Sequence, residues 1–207
     1  MTVCAICGNN EATTRDHVPP KSIFPKPRPD NLITVPACVD CNNGSSELDD
    51  LFKVYLSMHA AGESEIARRL FTEKTARTLE RNQALLSQIA EESKGLQIED
   101  EKGNLVTRTG VLWNSEAHDS IIERTIRGLF FHHAGTIVPE GTVLKVQWLR
   151  GVPEDIEQKI GLFTEVCIGE DQVIYKYLIY EEDPRYSLWL FEFYGAHWAS
   201  GHISPES

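Results

Sequence analysis

Three stretches of the chain repeat apolar side chains every three or four residues, which is the spacing of an amphipathic helix. The pattern predicts helices that begin after residue 46, that occupy 63–93, and that run from 115 to 133. Ser46 suits the cap of the first helix, because its hydroxyl can accept a bond from a free backbone N–H. Gly95 is the predicted end signal of the second helix.

Other stretches alternate apolar and polar residues, as half-buried strands do. A turn signal at 101–104 divides residues 96–113 into two strand-like segments, so we predict a β-hairpin there. Four more strand-like runs follow, namely TVLKVQWL, LFTEVCI, QVIYKYLIY and SLWLFEFYG. Together these elements predict an α+β fold in which helices accompany an antiparallel sheet.

The first 60 residues differ in composition from the rest of the chain, because they are dense in cysteine, proline, asparagine and glycine. We therefore divide the chain near residue 60. Residues 1–60 are predicted to form a small module of their own, and residues 61–207 an α+β domain.

The net charge of −11 disfavours tight binding to bulk nucleic acid, because phosphate contacts supply most non-specific affinity. Residues 1–46 contain four basic and four acidic side chains, so the negative excess lies in 47–207. Lys21, Lys26 and Arg28 lie close together in the neutral part and can approach a phosphate.

No apolar run reaches the ~20 residues that span a membrane, and the N-terminus has no basic stretch followed by an apolar one. We therefore expect no signal peptide, no membrane partner and a cytoplasmic location.

Four of the five cysteines form two pairs with the spacing Cys-x2-Cys. The pairs are Cys4 with Cys7 and Cys38 with Cys41. Two thiolates from one tight turn can bind the same ion, and Gly8 permits the positive φ of such a turn. We predict a structural zinc with four thiolate ligands and no open position for substrate. Buried or redox-active thiols are the alternative.

Polar residues suited to hydrolysis stand between and beside the cysteine pairs. Asp16 and His17 place an oxygen ligand next to a potential base, and Asn42 directly follows the last zinc ligand. A hard cation such as Mg²⁺ prefers the oxygens of Asp16 and Asn42. Phosphodiester hydrolysis needs an activated water and neutralisation of charge at the phosphate, so this set fits that reaction.

The order CxxC, DHVPP, DNLITV and CxxCN over residues 4–60 resembles the HNH endonuclease family, in the subgroup that builds a ββα-metal motif on a treble-clef zinc site. The resemblance implies that Asp16 and Asn42 bind a catalytic Mg²⁺ or Mn²⁺ and that His17 is the general base. It also implies that Asn31 orients the hairpin and helps to hold the base. The chain is then an H-N-N variant, with Asn43 as the alternative to Asn42.

The resemblance implies an endonuclease that acts on phosphodiester bonds, with DNA favoured as substrate and 5′-phosphate and 3′-hydroxyl ends as products. Residues 44–46 stand where many members carry a basic residue or a further histidine, which weakens the expected grip on phosphate. Residues 61–207 would supply specificity, a homodimer contact or a partner site. The rivals are a non-catalytic treble clef that binds nucleic acid or protein, and a redox or metal sensor.

Overall fold

The computed structural model describes residues 2–44, 46–99, 103–111 and 115–206, which form a mixed α+β fold with antiparallel sheets. The α-helices are α1 (Val39–Asn43), α2 (Ser46–Ala60), α3 (Glu65–Leu70), α4 (Ala76–Arg81), α5 (Gln83–Glu92), α6 (Ser115–Ala134) and α7 (Glu154–Glu157). The strands are β1 (Thr14–His17), β2 (Thr34–Ala37), β3 (Ser93–Glu99), β4 (Leu105–Val111), β5 (Thr142–Leu149), β6 (Thr164–Ile168), β7 (Val173–Ile179), β8 (Ser187–Phe193) and β9 (His197–Pro205). The predicted fold class is confirmed at this level.

The largest sheet has five antiparallel strands in the order β5-β9-β8-β7-β6. Four of them coincide with the strand-like runs of the sequence, but β9 follows the last predicted strand and was not expected. It pairs along its length with both β5 and β8. The buried face of β9 carries the small residues Ala199 and Gly201, so the apolar alternation that marks a strand is weak there.

Helix α6 has the bounds that the sequence predicts to within one residue, and its apolar side is buried. It packs on α2, on β2 and on the five-stranded sheet. The fit is close, because a Cβ on Gly201 would lie 2.3 Å from Ile126 Cδ1, and one on Gly128 would lie 2.6 Å from Val18 Cγ1. Helix α6 therefore fixes the end of β1 against the large sheet.

One hydrophobic cluster joins the two sides of the division near residue 60. It includes Val18, Phe24 and Phe52 from the first side and Ile126 and Phe130 from the second. Residues 1–60 and 61–207 thus pack on each other through a shared apolar core.

Several element boundaries differ from the prediction. The short helix α1 precedes α2, which begins at Ser46 itself. The segment 63–93 is not one helix, because a π-helical turn at Phe71–Thr75 and a break at Asn82 divide it into α3, α4 and α5. The last of these helices ends at Glu92, within one residue of the predicted end, but Gly95 lies inside β3 and is not its end signal.

The hairpin predicted at 96–113 is present as β3 and β4, which pair from Ser93 with Val111 to Glu99 with Leu105. Part of its predicted turn, at 101–102, and the predicted strand end at 112–113 lie outside the described residues. Over the described part of the chain, no helix combines the length and the apolar character needed to cross a membrane.

Candidate functional site

The four paired cysteines come together through two local structures. In the first, Gly8 has a φ of +71° and its backbone N–H donates to Cys4 O at 2.9 Å, which closes the predicted tight turn. In the second, Cys38 caps helix α1 and its sulfur accepts the backbone N–H of Cys41 at 3.4 Å. This N–H bond is the main reason that the pKa of the Cys38 thiol is lowered.

The sulfur positions fit a metal ion. All four Sγ atoms lie within 4.8 Å of one another, and Cys7 Sγ is 4.0 Å from Cys38 Sγ. Tetrahedral zinc with bonds of about 2.3 Å separates its sulfur ligands by roughly 3.8 Å, so these distances suit one ion. The four cysteines can therefore hold a metal ion, and their geometry is compatible with structural zinc.

The hairpin of β1 and β2 brings Asp16 and His17 beside this cluster. Asp16 pairs with Val35 and His17 with Thr34 across the hairpin. Asp16 is only 6% exposed, and its Oδ1 accepts the backbone N–H of His17 at 2.8 Å. The hairpin thus holds the carboxylate in one orientation at the edge of the shared core.

Helix α1 places Asn42 against the same hairpin. The Nδ2 of Asn42 donates to Thr14 Oγ1 at 3.1 Å and to Arg15 O at 3.2 Å. Because the amide nitrogen is used in this way, the carboxamide oxygen is the group that remains for a cation. Cys41 of the four-cysteine cluster precedes Asn42 directly, so the cluster and the hairpin both fix the position of Asn42.

Asp16, His17 and Asn42 line one pocket of about 340 Å³. The prediction that these three side chains share a site therefore agrees with the structure. Asn43 also lines this pocket, so the alternative position stays open. The remaining lining residues, which the sequence did not single out, are Lys21, Ser46 and Asp49.

Asn31 does not belong to this pocket. Its Nδ2 donates to Cys167 O at 2.9 Å, and its Oδ1 accepts the backbone N–H of Gly169 at 3.1 Å. Asn31 therefore ties the loop before β2 to the turn after β6. Neither of these two bonds involves His17, and the role of Asn31 in holding the base stays a prediction.

A buried arginine contacts two carboxylates that line the pocket. Arg124 of α6 is 6% exposed, its Nη2 lies 2.5 Å from Asp49 Oδ1, and its Nε lies 3.5 Å from Asp16 Oδ2. Burial raises the pKa of both carboxyls, that of Asp49 to about 6, while the arginine charge acts in the opposite direction. The sequence signal was a charged residue within the apolar face of α6, between Ile122 and Ile126.

His17 is half-buried, and burial lowers its pKa from the usual value. The positive charges of Lys21, Arg28 and Arg15 act in the same direction, and the charge of Asp16 opposes them. The imidazole is therefore neutral at neutral pH, as a proton acceptor has to be.

One basic side chain, Lys21, lines the pocket, and other basic side chains act electrostatically on His17 or on one another. We define the basic rim as Arg15, Lys21, Lys26, Arg28 and Lys74. The charges of Arg15, Lys21 and Arg28 act on His17. Burial is the largest cause that lowers the pKa of Lys74 to about 8, and the positive charges of Arg28 and Lys26 act in the same direction. Positive charge is thus concentrated locally in a chain whose net charge is −11.

Comparisons of the chain with protein-family models, with curated proteins and with solved structures find no match.

Proposed function

We propose that the protein is a metal-dependent endonuclease of the HNH type, which hydrolyses phosphodiester bonds, with DNA as the favoured substrate. The observation that supports this most is the shared pocket of Asp16, His17 and Asn42 beside four clustered cysteines. In this proposal the hairpin β1–β2 and helix α1 form a treble-clef ββα-metal module, and zinc binds the four sulfurs.

The donor atoms of the pocket suit a hard divalent cation. Asp16 offers a carboxylate, and Asn42 offers the carboxamide oxygen that its two donated bonds leave over. Mg²⁺ or Mn²⁺ prefers such oxygen ligands and completes its shell with water and phosphate. When bound, the cation would neutralise charge at the scissile phosphate.

The other residues have complementary roles. His17 takes the proton from the attacking water, which needs its imidazole in the neutral form. Lys21 and the rest of the basic rim approach the phosphates that flank the cleaved bond. The scissile P–O bond breaks, the 3′-oxygen leaves as a hydroxyl, and the water oxygen stays on the 5′-phosphate.

The test is a plasmid-nicking assay with zinc-loaded protein and added Mg²⁺ or Mn²⁺. We expect His17→Ala to lower the rate at least about a hundredfold, because it removes the general base. The matched control is His202→Ala, since His202 is an exposed histidine on β9. Chelation by EDTA must stop cleavage while the zinc content stays constant. Cleavage that persists in His17→Ala would refute the mechanism.

The Asp16–Arg124 ion pair favours a second candidate, because a paired carboxylate has less affinity for a cation. In this alternative the module is a non-catalytic treble clef that binds nucleic acid or protein. It predicts that the wild type nicks nothing with either cation and that His17→Ala binds nucleic acid as the wild type does. Gel-shift titrations of both proteins alongside the nicking assay separate the two candidates.

A further inference from the structure

Asp49, which lines the pocket, and Arg124, which contacts Asp49 from outside the pocket lining, have no role in the mechanism above. Asp49 lies on α2, and Arg124 reaches it from α6, 75 residues further along the chain. The guanidinium contacts Asp49 Oδ1 at 2.5 Å and Asp16 Oδ2 at 3.5 Å, so one arginine spans both carboxylates. Neither residue is part of the motif that the sequence resembles.

The contacts of this group are incomplete. Within the described residues, Asp16 Oδ2 and the Nε and Nη1 atoms of Arg124 are buried without a hydrogen-bond partner. The Asp16–Arg124 distance of 3.5 Å is that of an ion pair and is too long for a strong hydrogen bond. Asp16 belongs to the pocket lining, and its buried Oδ2 is an acceptor whose hydrogen-bonding capacity is unused.

The charges of the group also call for a cation. Asp16 and Asp49 bring two negative charges into a largely buried space, and Arg124 brings one positive charge. The arginine therefore keeps the carboxylates together but neutralises only half of the charge of this contact group, while Lys21 of the pocket lining acts on Asp16 without an ion pair described between them. A divalent cation would supply the remainder and leave one positive charge for a phosphodiester.

We propose that Asp49 is a second carboxylate of the divalent-cation site, and that Arg124 is a positioning residue that holds Asp49 and Asp16 together and limits the affinity for the cation. The inference rests on the proposed function, because Asp49 lines the same pocket as Asp16 and Arg124 contacts both carboxylates. It adds a ligand from α2 and a determinant of affinity from α6, both outside the motif.

The experiment measures Mn²⁺ binding to the full, zinc-loaded chain by calorimetry, in parallel with plasmid nicking. Loss of a positive charge near the ion tightens binding, so Arg124→Met should bind Mn²⁺ at least roughly tenfold more tightly than the wild type. It should also nick more slowly, because the carboxylates lose their alignment. A merely structural arginine would not give this combination of tighter binding and slower nicking.

Two further variants complete the design. Asp49→Asn should weaken Mn²⁺ binding about tenfold, because it replaces a charged ligand with a neutral one. Arg127→Met, three residues along the same helix, is the matched control, because the ion pairs described for Asp16 and Asp49 are made by Arg124. It should keep the wild-type affinity within about twofold.

Arg124→Met alone leaves two buried carboxylates without a counter-ion and can prevent folding. The double variant Arg124→Met/Asp49→Asn keeps the net charge of the pair at that of the wild type, so its folding is preserved. Compared with Asp49→Asn alone, the double variant should again bind Mn²⁺ about tenfold more tightly.

The inference is overturned if Arg124→Met and the double variant bind Mn²⁺ no more tightly than their reference proteins, or if Asp49→Asn binds as the wild type does. This outcome is distinct from failure of the proposed function. Wild-type nicking without these affinity changes would retain the nuclease and reject the roles of Asp49 and Arg124. The affinity changes without any nicking would retain the cation site and reject the nuclease.

Discussion

The pH dependence of stability should report on His197, which lies on β9 and is only 1% exposed. Its ring packs edge-on against His118 of α6 and His59 of α2, at centroid distances of 5.3 Å and 5.7 Å. Burial, followed by the positive charges that His118 and His59 would carry, lowers the pKa of His197 from 6.5 to about 2. The folded protein therefore keeps this imidazole neutral well below pH 6.5.

The sign of the effect follows from proton linkage. The unfolded chain takes up a proton at this site as the pH falls through 6.5, but the folded chain does not. Acid therefore favours unfolding, and the stability contributed by the neutral imidazole declines below pH 6.5. At pH 5.0 the protonated form outweighs the neutral form in the unfolded chain by roughly 30 to one, which corresponds to about 2 kcal/mol.

The perturbation is His197→Phe, which keeps a flat ring among Phe52, Phe193 and His118 but cannot take up a proton. Urea unfolding at pH 7.5 and at pH 5.0 gives the free energy of unfolding of each protein. We expect the loss between these two pH values to be smaller by about 2 kcal/mol in the variant than in the wild type.

The matched control for this prediction is His202→Phe, the same substitution at an exposed position of the same strand. It should change the loss between the two pH values much less than His197→Phe does. His118, whose pKa is also lowered by burial, is present in all three proteins. An identical pH dependence in His197→Phe and the wild type would refute the reasoning.

Two further predictions concern packing and the metal cluster. Gly201→Ala should lower the free energy of unfolding by about 1–3 kcal/mol, because its methyl group overlaps a buried isoleucine of α6. Gly151→Ala, where a Cβ meets nothing within 4 Å, should change it by less than about 0.5 kcal/mol in the same urea titration. Cys38→Ser should lose bound zinc, as measured by elemental analysis, and unfold at a lower temperature, whereas Cys167→Ser, outside the cluster, should retain the metal. Full zinc occupancy in Cys38→Ser would contradict a four-thiolate site.

Local sequence patterns predicted the parts of the molecule that depend on local geometry. The two Cys-x2-Cys pairs predicted a common metal position, since each tight turn presents both sulfurs on one side. Alternation of apolar residues predicted β5 to β8, and helical spacing predicted α6, because each of these elements buries one continuous face. Asp16, His17 and Asn42 share a pocket because the cysteine pairs and the hairpin fix them directly.

The parts that the sequence did not reveal depend on contacts between distant segments. Strand β9 was not predicted because the residues on its buried side that face α6, Ala199 and Gly201, have small side chains or none. The alternation of large apolar and polar residues that marks a strand is therefore weak there. Arg124 carries a charge whose partners lie 75 and 108 positions earlier in the chain, and no local pattern identifies them. Asn31 was assigned by its position in a motif, whereas its hydrogen bonds are set by the turn after β6.

Because the β1–β2 hairpin packs on α6, the motif in residues 1–60 depends on the rest of the chain for its structure. A fragment cut at residue 60 would expose Val18 and Phe24, which are fully buried in the complete chain. It would also leave the carboxylates of Asp16 and Asp49 without the guanidinium of Arg124, which compensates their negative charge. Residues 1–60 grafted onto another scaffold would therefore keep the motif residues but lose the packing and the positive charge that α6 supplies to their pocket.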